Sequence, residues 1–193
     1  MWNQLETNFM GTLNILQLTL PRFRERRAGR YLIFSSTSGA LGVPGHGPFC
    51  ASKYAVEGLI ESMFYEVDNV NIKITLVQAG YMRRDEFGDS SSLPPLYSHF
   101  LVKAPSPEYS TSTAPAAHAL RTMMWIGDKQ PSSSAKAAEL IWQLGHCSYP
   151  PLRLILGKFA MDSVRERMKC MIEEIEDWKH LNFPLEDQAG EGL

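Results

Sequence analysis

Cysteine is scarce in this chain: three in 193 residues (Cys50, Cys147 and Cys170), far apart and without a CxxC pair. That argues against a disulfide framework or a thiolate zinc site and fits a reducing compartment. The five histidines (His46, His99, His118, His146 and His180) show no metal-ligand spacing. Neither sign of charge dominates, with 19 basic against 21 acidic side chains and a net charge of −2. A balance so near neutral gives no general pull toward nucleic acid or an acidic membrane. Long apolar runs are missing too. Tyr31-Leu-Ile-Phe34 is far short of the roughly 20 residues a membrane helix needs. Met1 is not followed by a basic segment and a signal-peptide core. The expectation is a cytoplasmic chain with no nucleic-acid or membrane partner. What is present, 44% hydrophobic and 21% charged residues over 193 positions, predicts one globular domain.

Along the chain the apolar period changes in an orderly way. Leu5, Phe9, Leu13, Leu16 and Leu20 recur at spacings of three and four, which predicts an amphipathic helix over 4–25. Arg22, Arg24, Arg26, Arg27 and Arg30 follow at its end, where cations meet the negative end of the helix dipole. Gly29 is expected to break that helix, and Arg30 to Phe34 reads as a buried strand. A Ser, Gly and Pro loop over 35–48 leads to a helix over 49–67, and Ile72 to Val77 is a second strand. Helix, strand, helix, strand in this rhythm implies an α/β layer with a parallel sheet. From Arg83 to Ser134 the pattern dissolves, apart from a short helix at 116–125, and a functional flap or a disordered stretch is expected there. Helix at 135–144, strand at 152–156 and helix at 163–178 follow, then a polar tail from Asn182. The methionines at Met123-Met124 and Met168 to Met171 read as packing residues.

Three segments carry chemistry. Asn8 lies early in the first helix, Ser35-Ser36 closes the first strand, and Phe49-Cys-Ala-Ser-Lys53 opens the next helix. Positions 49 and 53 are four apart, so both side chains point into one place. An ammonium at Lys53 would lower the pKa of a neighbouring phenol. Together with Gly58-Leu59, Ile72 to Val77, Gly80-Tyr81 and Leu152 to Gly157, these segments resemble the classical short-chain dehydrogenase/reductase family over essentially the whole chain. The resemblance implies a partial Rossmann-like doubly wound parallel sheet, the C-terminal half of the family fold, with flanking helices. It divides one domain, 1–193, into a catalytic-motif core (1–82), a substrate flap (83–134), a C-terminal helix-strand-helix (135–181) and a tail (182–193).

The resemblance also implies roles. Ser36 would hydrogen-bond the substrate oxygen, Lys53 would grip a cofactor ribose, and Asn8 would hold a water relaying protons from Lys53. Lys53, Gly80 and Met82 would border the cofactor, NADP or NAD. Val43, His46 and Tyr81 would border a small carbonyl or alcohol substrate, with His46 a candidate proton source. Four departures qualify this. Position 49, where the family carries its catalytic Tyr, is Phe, and Arg84 stands where a Thr commonly meets the nicotinamide. The family's Pro-Gly is Ala79-Gly80 here, and no glycine-rich phosphate turn follows an N-terminal strand. The expectation is therefore the catalytic half without its cofactor half, with an open apolar edge on the first strand.

Three readings stand side by side. The first is an oxidoreductase related to reductases of secondary metabolism and inactive alone. The second is a pseudoenzyme or interaction module that pairs with itself or a full-length relative through helices 4–25 and 49–67. The third is a truncated gene product.

Overall fold

The computed structural model describes residues 2–82, 106–114, 117, 121 and 132–181. Most of the expected flap, the 116–125 helix and the tail lie outside them. The chain opens with α1 (Trp2–Leu5), a π-helical turn (Glu6–Met10) and α2 (Gly11–Glu25), which run on as one helix. Next come β1 (Gly29–Ser36), α3 (Gly47–Val67), β2 (Ile72–Ala79), α4 (Ser134–His146), β3 (Arg153–Leu156) and α5 (Lys158–Trp178). The three strands are parallel in the order β1-β2-β3, with Ser36 aligned to Ala79 and Ala79 to Leu156. The fold class is α/β, with helices flanking a parallel sheet, as the sequence implies.

The middle strand explains the layering. In an extended chain alternate side chains face opposite ways. Ile72, Ile74 and Leu76 face α2 and α3, where they bury with Leu16, Val56, Ile60, Met63 and Val67. Val77 joins a second cluster with Ala137, Leu144 and Leu156 under α4. A strand covered on both faces reads as an almost continuous apolar run, which is why 72–77 was legible. β1 is paired on one edge only among the described residues, and its Phe34 is 54% exposed.

Local differences from the sequence reading have physical causes. Helix α2 is turned out by Arg27, at φ 49°, rather than by Gly29. Gly29 is needed because a Cβ there would fall 2.1 Å from Cδ2 of Phe23. Strand β2 runs two residues beyond Val77, because the polar Gln78 is buried and bonded instead of marking a loop. Helix α5 starts at Lys158, five residues before the expected 163, because Gly157 at φ 98° reverses the chain directly after β3. Two arginines of the cluster bond to backbone of other elements. Arg30 caps the end of α4 through the carbonyls of Leu144 (2.9 Å) and Cys147 (2.6 Å), and Arg27 reaches that of Asn69. No described helix is long and apolar enough to cross a membrane.

Candidate active site

The carboxyl ends of β1 and β2 and the first turns of α3 enclose a cavity of about 480 Å³. In an open parallel sheet this is the end at which ligands bind. Asn8, Ser36, Phe49, Lys53, Gly80, Tyr81 and Met82 all line it, although they come from four separate stretches of chain. Val43 and His46 do not. Val43 is half-buried in the loop before α3, and His46 is buried at that helix's N-cap. Gln4 and Ser35 also line the cavity and were not singled out from sequence. Gln4 carries no motif and stands one turn before Asn8, whose side chain it accepts a hydrogen bond from.

Lys53 Nζ donates to the carbonyl oxygen of Phe34 at 3.0 Å and stands 5.7 Å from the centre of the Phe49 ring. Burial lowers its pKa below the ordinary lysine value, and the carboxylate of Glu57 one turn on partly restores it. Ser36 Oγ accepts from the amide of Ser38 at 3.2 Å, which caps the short turn Thr37–Gly39 and keeps its own proton for a ligand. Asn8 sits inside the π turn, an irregularity that often marks a functional position. Its Nδ2 donates to Gln4 Oε1 at 2.9 Å and to Ser52 Oγ at 3.0 Å, and Ser52 in turn donates to the Phe49 carbonyl at 2.8 Å. Asn8 is thereby tied to the turn of α3 that presents position 49.

Tyr81 contributes a phenol whose pKa is pushed up to about 12, first by burial and second by the charge of a Cys50 thiolate. It stays protonated at every physiological pH, able to donate a hydrogen bond and unable to act as a base. Gly80 fixes the turn after β2 through its amide, which donates to the Leu156 carbonyl at 3.0 Å. Met82 borders both this cavity and an apolar neighbour of about 460 Å³ between the sheet and α4. Among the described residues no three His, Cys, Asp or Glu side chains stand where they could hold a metal ion.

His46 lies outside the cavity lining but carries a pH consequence. Its burial lowers its pKa below 6.5, so the unfolded chain takes up a proton in a window where the folded chain does not. Stability is expected to fall as pH drops from 6.5 to the depressed folded value, and to lose no more to this group below it. His46→Gln should flatten that part of a urea-midpoint profile, and an unchanged slope would contradict it.

Comparisons with known proteins point to one family. Residues 2–92 match the family model described as short chain dehydrogenase. An oxidoreductase of Botryotinia fuckeliana is 27% identical over 180 residues, covering 93% of this chain and 61% of that protein. An uncharacterized oxidoreductase of Schizosaccharomyces pombe is 32% identical over 180 residues, covering 91% of this chain and 56% of its own length. Among solved structures, a short-chain dehydrogenase from Streptomyces avermitilis superposes with a TM-score of 0.77 at 26% identity, over 94% of this chain and 62% of that one. The chain thus spans about three-fifths of the length of the proteins it matches. Ser36 at the end of β1, Lys53 in α3 and Asn8 on the helix before β1 all line one cavity of this chain, and the chain belongs to the short-chain dehydrogenase/reductase family.

Proposed function

We propose that this chain carries the carbonyl end of an NAD(P)-dependent oxidoreductase site acting on a carbonyl or alcohol with an apolar body. The observation that carries the reading is the convergence of Ser36, Lys53, Asn8 and position 49 on one cavity. NAD(P), when bound, supplies or accepts the hydride. The residues present fit its nicotinamide-ribose end: a lysine ammonium on one wall, a free serine hydroxyl proton on another, and space of about 480 Å³. Ser36 would donate to the substrate oxygen and stabilise charge developing there. Lys53 would leave the Phe34 carbonyl for the ribose hydroxyls, an exchange of one hydrogen bond for another. The apolar neighbour beyond Met82, lined by Phe34, Ala137 and Ile141, favours a substrate with a hydrocarbon portion.

Phe49 holds the shape of a tyrosine ring and offers no proton. General acid-base catalysis is worth about 10²–10⁴-fold, so on its own the chain is expected to show no measurable turnover. The test is titration with NADPH and NADH, read by nicotinamide fluorescence on a sample shown by circular dichroism to be folded. Saturable binding is expected, and Lys53→Met should weaken it at least about tenfold, roughly 1.4 kcal/mol. A folded sample that binds neither nucleotide overturns the cofactor reading. Oxidation of NADPH with any member of a carbonyl panel overturns the inactivity of the chain by itself.

A further inference from the structure

A buried polar cluster of the described fold lies one helical turn beyond Lys53. Glu57 is only 5% exposed. Ser35 Oγ donates to its Oε1 at 2.6 Å, and Gln78 Nε2 reaches both carboxylate oxygens at 2.7 Å. Arg153 Nε stands 3.4 Å from Oε2, while its Nη2 pairs with Glu61 at 2.9 Å. One carboxylate therefore joins α3 to the ends of β1, β2 and β3. The turn after β1 closes on it too, since a Cβ at Gly39 would fall 2.5 Å from Glu57 Oε1 and 2.7 Å from Ser35 Oγ.

Stability alone does not account for this arrangement. A buried ion pair is often no better than apolar side chains of equal volume, and breaking it is costly. Its neighbours are more telling. Ser35 precedes Ser36, Gln78 precedes Ala79 and Gly80, and Lys53 lies four residues back on the same face of α3. Ser35 and Gln78, the two neutral groups that the carboxylate holds, are each adjacent to a residue that lines the cavity, while Arg153 is not.

We propose that Glu57 is a positioning residue of this site. Its carboxylate fixes the strand ends bearing Ser36 and Gly80 against the helix bearing Lys53, and supplies the negative charge that keeps a half-buried lysine ammonium in place. The role assigned rests on reading the cavity as the reactive centre. The charge coupling between Glu57 and Lys53 can be measured without any cofactor.

The other titratable groups around Lys53 leave Glu57 as the main opposing charge. From β2 and the turn after it come Tyr81, neutral below about 12, and from α3 the thiol of Cys50. From β3 comes Arg153, held by Glu57 and Glu61. The first helix contributes the uncharged Asn8 and Gln4, and β1 the Phe34 carbonyl.

The experiment measures the pH dependence of Lys53 labelling by an amine-reactive reagent, read on its peptide by mass spectrometry, in wild type and Glu57→Gln. Removing the charge should lower the apparent pKa of Lys53 by about one unit, a tenfold faster labelling at fixed pH below it. Glu61→Gln, at a more exposed carboxylate that pairs with Arg153, should leave the profile in place. Should Glu57→Gln fail to fold, the swap Glu57→Gln with Gln78→Glu keeps the donor-acceptor pattern and moves the charge to β2. That double variant should also lower the Lys53 pKa. A Lys53 profile unchanged in a folded Glu57→Gln protein, or in the folded swap, overturns the proposal. Loss of NADPH binding in the wild type would overturn the function reading and leave this coupling standing.

Discussion

Phe49→Tyr is expected to create a phenol that ionises about one unit below the ordinary tyrosine value of about 10. The Lys53 ammonium lies 5.7 Å from the centre of the ring at position 49. Glu57 is eight residues along the same helix, or about 12 Å at 1.5 Å per residue. At an effective dielectric of about 20, the attraction from Lys53 is about 3 kcal/mol and the repulsion from Glu57 about 1.4 kcal/mol. The ammonium wins by about 1.5 kcal/mol, which is about one pKa unit. Phe49 is half-buried and lines a cavity, so desolvation opposes this only in part.

The measurement is a phenolate absorbance titration of the variant against wild type. Tyr81 stays out of the window because its phenol is pushed up to about 12. A depressed folded pKa means that the unfolded state holds the proton more tightly. The variant should therefore gain stability relative to wild type as pH rises through about 9 to 10, and lose that gain as pH falls below it. A new phenol titrating at or above about 10 would mean that the lysine does not act on position 49.

The second large effect is in the core. Leu76→Ala should cost about 2–5 kcal/mol, because it removes the side chain at the centre of β2 and leaves a cavity the sheet cannot fill by relaxing. Leu76 is 0% exposed and packs among Ile60, Ile74 and Val56 beneath α3. The matched control is Leu18→Ala on the outer face of α2, where Leu18 is 79% exposed. A change at such a surface position is usually within about 0.5 kcal/mol. Urea midpoints with unchanged slopes would measure both. Equal losses at the two positions would mean that the α2 face is buried in solution against something the isolated fold does not contain.

The two experiments probe different things that the fold must supply. Leu76 holds the strands that align Ser36 with Ala79, and position 49 reports the field that those strands and α3 create between them. If Leu76→Ala unfolds the chain and Phe49→Tyr gives a depressed phenol, the site is a product of a real core. A depressed phenol is not by itself evidence of turnover, for which cofactor binding remains the separate requirement.

Periodicity in the chain determined the α/β alternation and most of its elements, because burying one face of a helix or both faces of a strand leaves a pattern in neighbouring residues. Spacing also determined that positions 49 and 53 share a helix face, since that is a property of the helix alone. The same local logic failed where a polar residue is buried. Gln78 lies just past the expected strand 72–77 and Ser35 where the expected loop begins, and the carboxylate that binds both lies more than twenty residues away in sequence. Glu57 itself sits in the helix pattern as an ordinary charged residue, and nothing within one turn of chain marks it as buried. His46 and Val43 were expected beside the substrate from their place in the loop, yet the path of that loop sets them away from the cavity lining. Tertiary structure alone decided these points, since parallel strands with helical crossovers bring together groups that no periodicity links.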